Sequence, residues 1–311
     1  MKLHFLVLFL ALILAGCVSD PVKPPASIEA PQILAHRGGS GLWPQNSRLA
    51  IQSIVGGAWR GNVSGIEVDI VLTADGVPVL SHDLWVHMML CRTVSGKPMV
   101  KRYIKDMTFA ELEREYRCGG VPDPEFPQAE VMEEAILSFD DFVTLLKEDP
   151  SLDVYLDVKI QNGLTASADA YAEAVFSRWQ AAGLSNRLMV EGPEPASIEA
   201  YKRHAQIPFT AVLSYPPFYA GENWTKEGIK AAIKSRIKSK SPLKQVENSR
   251  ADAVVAPASV LGERAKKKLR DAGKQLIIFT SGGRESIDDL CSSGADYIIS
   301  DYPDMAPCTA H

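Results

Sequence analysis

Eight short runs of the chain have the apolar pattern of β-strands: 32–35, 65–71, 152–159, 187–191, 208–213, 252–256, 275–279 and 295–299. Between them the spacing becomes helical. Residues 137–149, LSFDDFVTLLKED, place Phe139, Phe142, Val143, Leu145 and Leu146 on one face behind Ser138, a predicted N-cap. The Ala-rich stretch 165–183 is amphipathic and stops at Gly183, and 262–273 stops in the same way at Gly273. Strands that alternate with helices and almost never form hairpins pair in parallel through crossovers. The predicted fold class is therefore α/β, a closed (β/α)8 TIM barrel. An open doubly wound sheet is the alternative, although no G-x-G-x-x-G turn follows the first strand.

The pattern changes at the N-terminus. Lys2 and His4 lead into an apolar stretch from Phe5 to Leu14, too short to span a bilayer, which predicts a signal peptide over 1–16. Leu14-Ala15-Gly16-Cys17 resembles the bacterial lipobox, which implies that Cys17 is lipidated; a plain secretion signal is the alternative. Val18 after the cysteine points to the outer membrane, facing the periplasm. Residues 17–31 read as a Pro-rich tether, and 32–311 as the globular domain. A net charge of -5 and the lack of a basic face exclude nucleic acid as the expected partner. The basic stretch 234–244 reads as the solvated side of a helix. In an oxidising compartment Cys91, Cys118, Cys291 and Cys308 allow three pairings. Proximity favours 91–118 with 291–308, against four free thiols.

The candidate chemistry lies where strands end. ILAHRGGSGLWPQNS (33–47) closes an apolar run with His36, Arg37 and two glycines. In GIEVDIVLTADGVPVLSHD (65–83), Glu67 and Asp69 share one face of a strand, about 6.5 Å apart at Cα. Two buried carboxylates so placed need a proton or a cation, and an oxygen-only set suits Ca²⁺ or Mg²⁺. A two-residue Asp75-Gly76 turn would put His82 opposite Asp69, whereas a loop one residue longer sends it to the other face. In LDVYLDVKI (152–160), Asp153, Tyr155, Asp157 and Lys159 form one face. Asp157 there is a third candidate ligand, with Lys159 as a nearby positive charge.

Together AHRGGSGLWPQNS, IEVDIVLTADGVPVLSHD, DVYLDVKI and the closing GADYIISDYPD resemble the glycerophosphodiester phosphodiesterase family, over about residues 32–304. The resemblance implies a barrel with a small insertion, 84–135, after the second strand. It implies catalytic His36 and His82, metal carboxylates Glu67, Asp69 and Asp157, and phosphate contacts Arg37 and Lys159. The implied reaction is metal-dependent hydrolysis of a small-molecule glycerophosphodiester to sn-glycerol 3-phosphate and an alcohol. Membrane contact is expected only through the lipid anchor. Three features depart from the family pattern: Asp157 in place of Glu, Gln45 in place of Glu, and IIFTSGG in place of a Trp-containing strand. Trp43 and Trp85 flank the two histidine motifs and are expected to pack, while His87 and His204 are expected at the surface. Two rival readings remain. One is a phospholipase-like enzyme that uses YPPFYAGENW (215–224) as an apolar rim; the other is a non-catalytic phosphate-binding lipoprotein.

Overall fold

A computed structural model describes residues 30–215, 242–279, 290–305 and 308. The signal peptide, Cys17, nearly all of the tether, loop 216–224 and most of the basic stretch lie outside the described residues. In chain order, β1 (Gln32–Ala35) and β2 (Gly65–Leu72) precede a short antiparallel partner of β2, β3 (Pro78–Leu80). A separate ribbon, β4 (Cys91–Thr93) with β5 (Tyr116–Cys118), follows. The remaining strands are β6 (Asp153–Val158), β7 (Leu188–Gly192), β8 (Thr210–Ser214), β9 (Ala253–Pro257), β10 (Gln275–Phe279) and β11 (Tyr297–Ser300). Parallel pairing runs β1-β11-β10-β9-β8-β7-β6-β2, and a β1–β2 pairing closes the eight-stranded barrel. The helices are α1 (Arg48–Ile54), α2 (Phe109–Glu115), α3 (Phe139–Leu146), α4 (Ala168–Ala182), α5 (Pro195–His204), α6 (Pro242–Glu247) and α7 (Glu263–Asp271).

Strand alternation divides the core in two. Leu34, Tyr155, Met189, Val212, Ile277 and Ile299 fill the barrel interior. Ile66, Val68, Val154, Leu156, Val190 and Ile298 face outward and pack with the helices, among them the fully buried Phe139, Phe142 and Trp179. Burial of each such side chain contributes about 1.5–3 kcal/mol. The helix ends follow the sequence signals. The Ser138 hydroxyl accepts the Asp141 amide at 3.0 Å, and Gly183 caps α4 in the left-handed region at φ 67°. Gly65 allows β2 to approach β6 at the barrel floor, since a Cβ there would lie 2.5 Å from the Asp153 carbonyl.

The β2–β3 connection corrects one expectation. Leu72 pairs with Pro78 and the Thr73 amide donates to Val77 at 3.0 Å, so the loop is Ala74-Asp75-Gly76, three residues rather than two. Gly76 at φ 73° takes the left-handed position of such a loop, and the register moves by one. Asp69 therefore bonds to the Ser81 amide, and His82 is not its ladder partner.

Between β3 and α3 the chain builds a small lobe with its own core of Val86, Ile104, Met107, Leu112 and Tyr116, which packs on Val71 and Val79 of the hairpin. Cys91 pairs with Cys118 across the ribbon and Cys291 with Cys308, the two pairings that proximity favoured. Among the described residues no helix is long and apolar enough to cross a membrane.

Candidate active site

The carboxyl end of β1 turns sharply. His36–Gly38 form a single 3-10 turn in which Arg37 takes φ 50°, ψ 31° and Gly38 takes φ 82°. Left-handed backbone at a residue with a side chain costs about 1–2 kcal/mol, and is kept where surrounding bonds over-determine it. Here the Arg37 amide donates to Glu67 Oε2 at 2.7 Å, and the Arg37 carbonyl accepts the Asn46 amide at 2.8 Å. Gly38 lies so close over α1 that a Cβ would meet the Ala50 methyl at 2.8 Å. The two glycines thus let the turn fold down onto the barrel mouth, bringing His36 and Arg37 over the strand ends.

Below them the acids converge. Asp69 of β2 and Asp157 of β6 are Cα partners, and Glu67 is two residues below Asp69 on the same inward face. Glu67, Asp69 and Asp157 each offer an oxygen within 4.8 Å of the others. Burial, then Asp69 and Asp157, push the Glu67 carboxyl well above the usual carboxylate range. The Lys159 ammonium and the Arg37 guanidinium outweigh burial at Asp69 and hold it below that range. Lys159, expected at the phosphate, is buried with Nζ 2.7 Å from Asp69 and 2.5 Å from Asp157. Arg37 Nε lies 3.3 Å from Asp69. Asn46 clamps Asp69 from both sides: its amide donates to Oδ2 at 2.7 Å and its carbonyl accepts the Asp69 amide at 3.1 Å. Two fixed cations against three carboxylates leave the cluster one cation short, and this all-oxygen donor set fits a hard divalent ion.

Each predicted histidine has its own carboxylate. His36 Nδ1 lies 2.6 Å from Asp301 Oδ1, which also accepts the Ser40 hydroxyl, and its Nε2 is 3.9 Å from Glu67. His82 Nδ1 lies 2.9 Å from Asp83. With Nδ1 held by a carboxylate, Nε2 is the nitrogen left for proton transfer. Burial, Lys159 and Arg37 lower the His82 pKa. The residue lines the same cavity as Gln45 and Asn46; because β3 ends at Leu80, strand alternation does not govern the turn at 81–83.

Of three further side chains, His204 at the surface and the packed Trp85 follow the sequence expectations and His87 departs from them. His87 is not a plain surface residue: its Nδ1 accepts the Leu90 amide at 3.0 Å and its Nε2 faces Asp83 at 3.6 Å. His204 pairs with Asp169. Trp85 packs edge-on to Tyr103, with the Lys101 ammonium 3.3 Å from its ring centre. Sequence reasoning gave no role to Asp301, Asp83, Asn46 or Glu191. The first three lay inside or beside the quoted motifs, but a short polar residue after a strand is common and carries little signal by itself.

Glu191 of β7 extends the acidic row as the Cα partner of Asp157. It is buried and accepts hydroxyl donors from Tyr155 at 2.8 Å and Ser214 at 2.5 Å. Burial and Asp157 push it up to about 8. A carboxyl raised on folding stabilises the protein below its unfolded pKa, and that contribution is lost as pH rises through the folded value. The thermal stability of the metal-free protein is thus expected to fall between pH 5 and 8. Glu191→Gln, whose carbonyl accepts from one hydroxyl while its NH2 faces the other, should flatten this slope by about a few kcal/mol.

A family model described as the glycerophosphoryl diester phosphodiesterase family matches residues 36–305. The uncharacterized protein YqiK of Bacillus subtilis is 24% identical over 276 residues, 88% of this chain and 96% of that protein. Glycerophosphodiester phosphodiesterase 1 of Bos taurus is 36% identical over 93 residues, 30% of this chain and 24% of that protein. The matched region thus spans about a quarter of the length of the bovine relative. Among solved structures, a candidate glycerophosphoryl diester phosphodiesterase from Silicibacter pomeroyi has TM-score 0.72 at 18% identity, covering 88% of this chain and 91% of that one. An Oleispira antarctica phosphodiesterase in complex with its product sn-glycerol-3-phosphate has TM-score 0.62 at 18% identity, covering 88% and 94%. At these identities the structural likeness establishes the barrel fold.

Proposed function

The chain belongs to the glycerophosphoryl diester phosphodiesterase family, and on that premise we propose that it hydrolyses glycerophosphodiesters to sn-glycerol 3-phosphate and an alcohol by divalent-ion-assisted acid–base catalysis. The observation that carries this reading is the meeting of Glu67, Asp69 and Asp157 in one cluster at the barrel mouth, where His36 also faces Glu67. Glu67, Asp69 and Asp157 would hold Ca²⁺ or Mg²⁺, which when bound supplies positive charge to polarise the phosphoryl group. Arg37, fixed by Gln45 at 2.8 Å, presents the rest of its fork to a phosphate oxygen. One imidazole removes the proton of the attacking water or neighbouring substrate hydroxyl; the other returns a proton to the departing alcohol. Asp301 and Asp83 hold the two Nδ1 atoms and so orient the rings.

The leader and Cys17 support placement of the enzyme in the bacterial envelope, lipid-anchored and facing the periplasm. The mature protein should release sn-glycerol 3-phosphate from glycerophosphocholine in the presence of Ca²⁺ or Mg²⁺. Binding of the diester without release of either product would count against hydrolysis and favour the non-catalytic reading.

A further inference from the structure

Two residues of the mouth hold each other by backbone. Arg37 and Asn46 both take left-handed conformations, at φ 50° and φ 56°, and the Asn46 amide donates to the Arg37 carbonyl at 2.8 Å. Asn46 is pinned in turn to Asp69 through both ends of its side chain. Gln45, one residue earlier, is therefore delivered to the Arg37 guanidinium by a fixed stretch of chain. Its carbonyl accepts from Nη1 at 2.8 Å.

The lobe holds the other end of the Gln45 side chain, whose Nε2 donates to Asp123 Oδ2 at 3.2 Å. Asp123 is itself tied down. Its Oδ1 accepts the Glu125 amide and its carbonyl the Phe126 amide, both at 2.9 Å, and Phe126 packs edge-on to Tyr302 beyond β11. Nearby, the Glu130 amide donates to the Leu42 carbonyl at 2.8 Å, which seats this part of the lobe on the loop after β1. A guanidinium only donates and a carboxylate only accepts, so the Gln45 amide has one orientation, with its oxygen to Arg37 and its nitrogen to Asp123.

The consequence is electrostatic. On this side Arg37 is held by a neutral oxygen. The carboxylate it pairs with, Asp69 at 3.3 Å from Nε, is shared with Lys159 at 2.7 Å. Nε itself is buried without a hydrogen bond among the described residues. A carboxylate in place of the Gln45 amide would engage two N–H groups of the fork and neutralise it. The amide engages one and leaves the charge in place, while Asp123 fixes the amide without an ion pair to Arg37.

Resting on the hydrolase reading above, in which Arg37 meets the phosphate, we propose that Gln45 and Asp123 are positioning residues for that contact. The neutral amide of Gln45 orients the guanidinium without discharging it, Asp123 of the lobe locks the amide, and the retained charge sets the affinity for phosphate.

Moving the negative charge by one side chain tests this. Gln45→Glu places a charge against Arg37. Gln45→Glu/Asp123→Asn does the same while keeping the wild-type net charge, an acceptor for Arg37 and a hydrogen bond between positions 45 and 123, now donated from 123. KM and kcat are read on glycerophosphocholine, and the Kd of sn-glycerol 3-phosphate by calorimetry, both with Mg²⁺ present. The double variant should melt near wild type and raise KM about tenfold, with a smaller change in kcat. The Kd of sn-glycerol 3-phosphate should rise by more than KM, because a phosphate monoester carries about 1.5–2 negative charges at pH 7 and the diester one. Wild-type KM and Kd in the double variant would show that position 45 serves packing alone, and would overturn the proposal. Unchanged constants in Gln45→Glu would do so too. Should Gln45→Glu fail to fold because its carboxylate faces Asp123, the double variant carries the same test. Hydrolysis of no diester by wild type, with a Kd that still depends on the charge at 45, would overturn the hydrolase reading and leave this assignment standing.

Discussion

Alanine at His36 or at His82 is expected to lower kcat on glycerophosphocholine by about 10²–10⁴-fold, the range for loss of a positioned acid or base. Neither ring is a large part of the apolar core, so the fold should survive. The concern lies with the partners: His36→Ala leaves the buried Asp301 with Ser40 as its remaining side-chain donor. His36→Asn keeps an N–H donor for Asp301 while removing the titratable ring, and should be equally inactive with a melting temperature near wild type. The pH dependence follows from geometry. Burial, Lys159 and Arg37 favour the neutral His82 ring, so its protonated form is lost below the ordinary histidine range. The limb of the pH–rate profile that His82 sets should therefore fall on the acid side of a free histidine. Near-normal turnover in either alanine variant would remove the acid–base pair from the mechanism.

Removal of the divalent ion is expected to have a comparable effect. Treatment with EDTA should reduce hydrolysis by about 10³-fold or more, the several kcal/mol that a metal ion contributes at a phosphoryl oxygen, and added Ca²⁺ or Mg²⁺ should restore it. Glu67→Gln should do the same without rescue. Its effect on stability runs the other way. Burial and two neighbouring carboxylates raise the Glu67 pKa, so metal-free wild type loses stability as pH rises through that value. Glu67→Gln removes this dependence, and the inactive variant should melt above the metal-free wild type at pH 8. A divalent ion should close the gap by stabilising wild type alone. Hydrolysis insensitive to chelation, with a Glu67→Gln variant that still turns over, would mean that the acids serve only to hold Lys159 and Arg37.

The acidic cluster also shows how Asp157 would serve in the proposed site, where the family pattern has Glu. Direct Cα partnership between β2 and β6 sets Asp157 beside Asp69, and Lys159, the residue after β6, completes the contact. The shorter side chain stays within reach of Glu67 and Asp69 because the strands are in register.

Period and punctuation alone determined the eight barrel strands, the capping at Ser138 and Gly183, and the inward face of β6, since each is a local property of a few neighbouring residues. The same alternation placed Glu67 and Asp69 on one face. Tertiary structure decided what local rules leave open. One left-handed glycine at 76 changed the hairpin register and cancelled the cross-strand argument for His82, yet the chain beyond β3 sets the residue in the cavity that Gln45 and Asn46 also line. The partnership of Asp301 with His36 joins residues 265 positions apart and exists only because β11 lies against β1 in the closed barrel. Lys159 turned toward Asp69 and Asp157 because buried carboxylates draw in the nearest cation, and burial is a product of the whole fold rather than of any one segment.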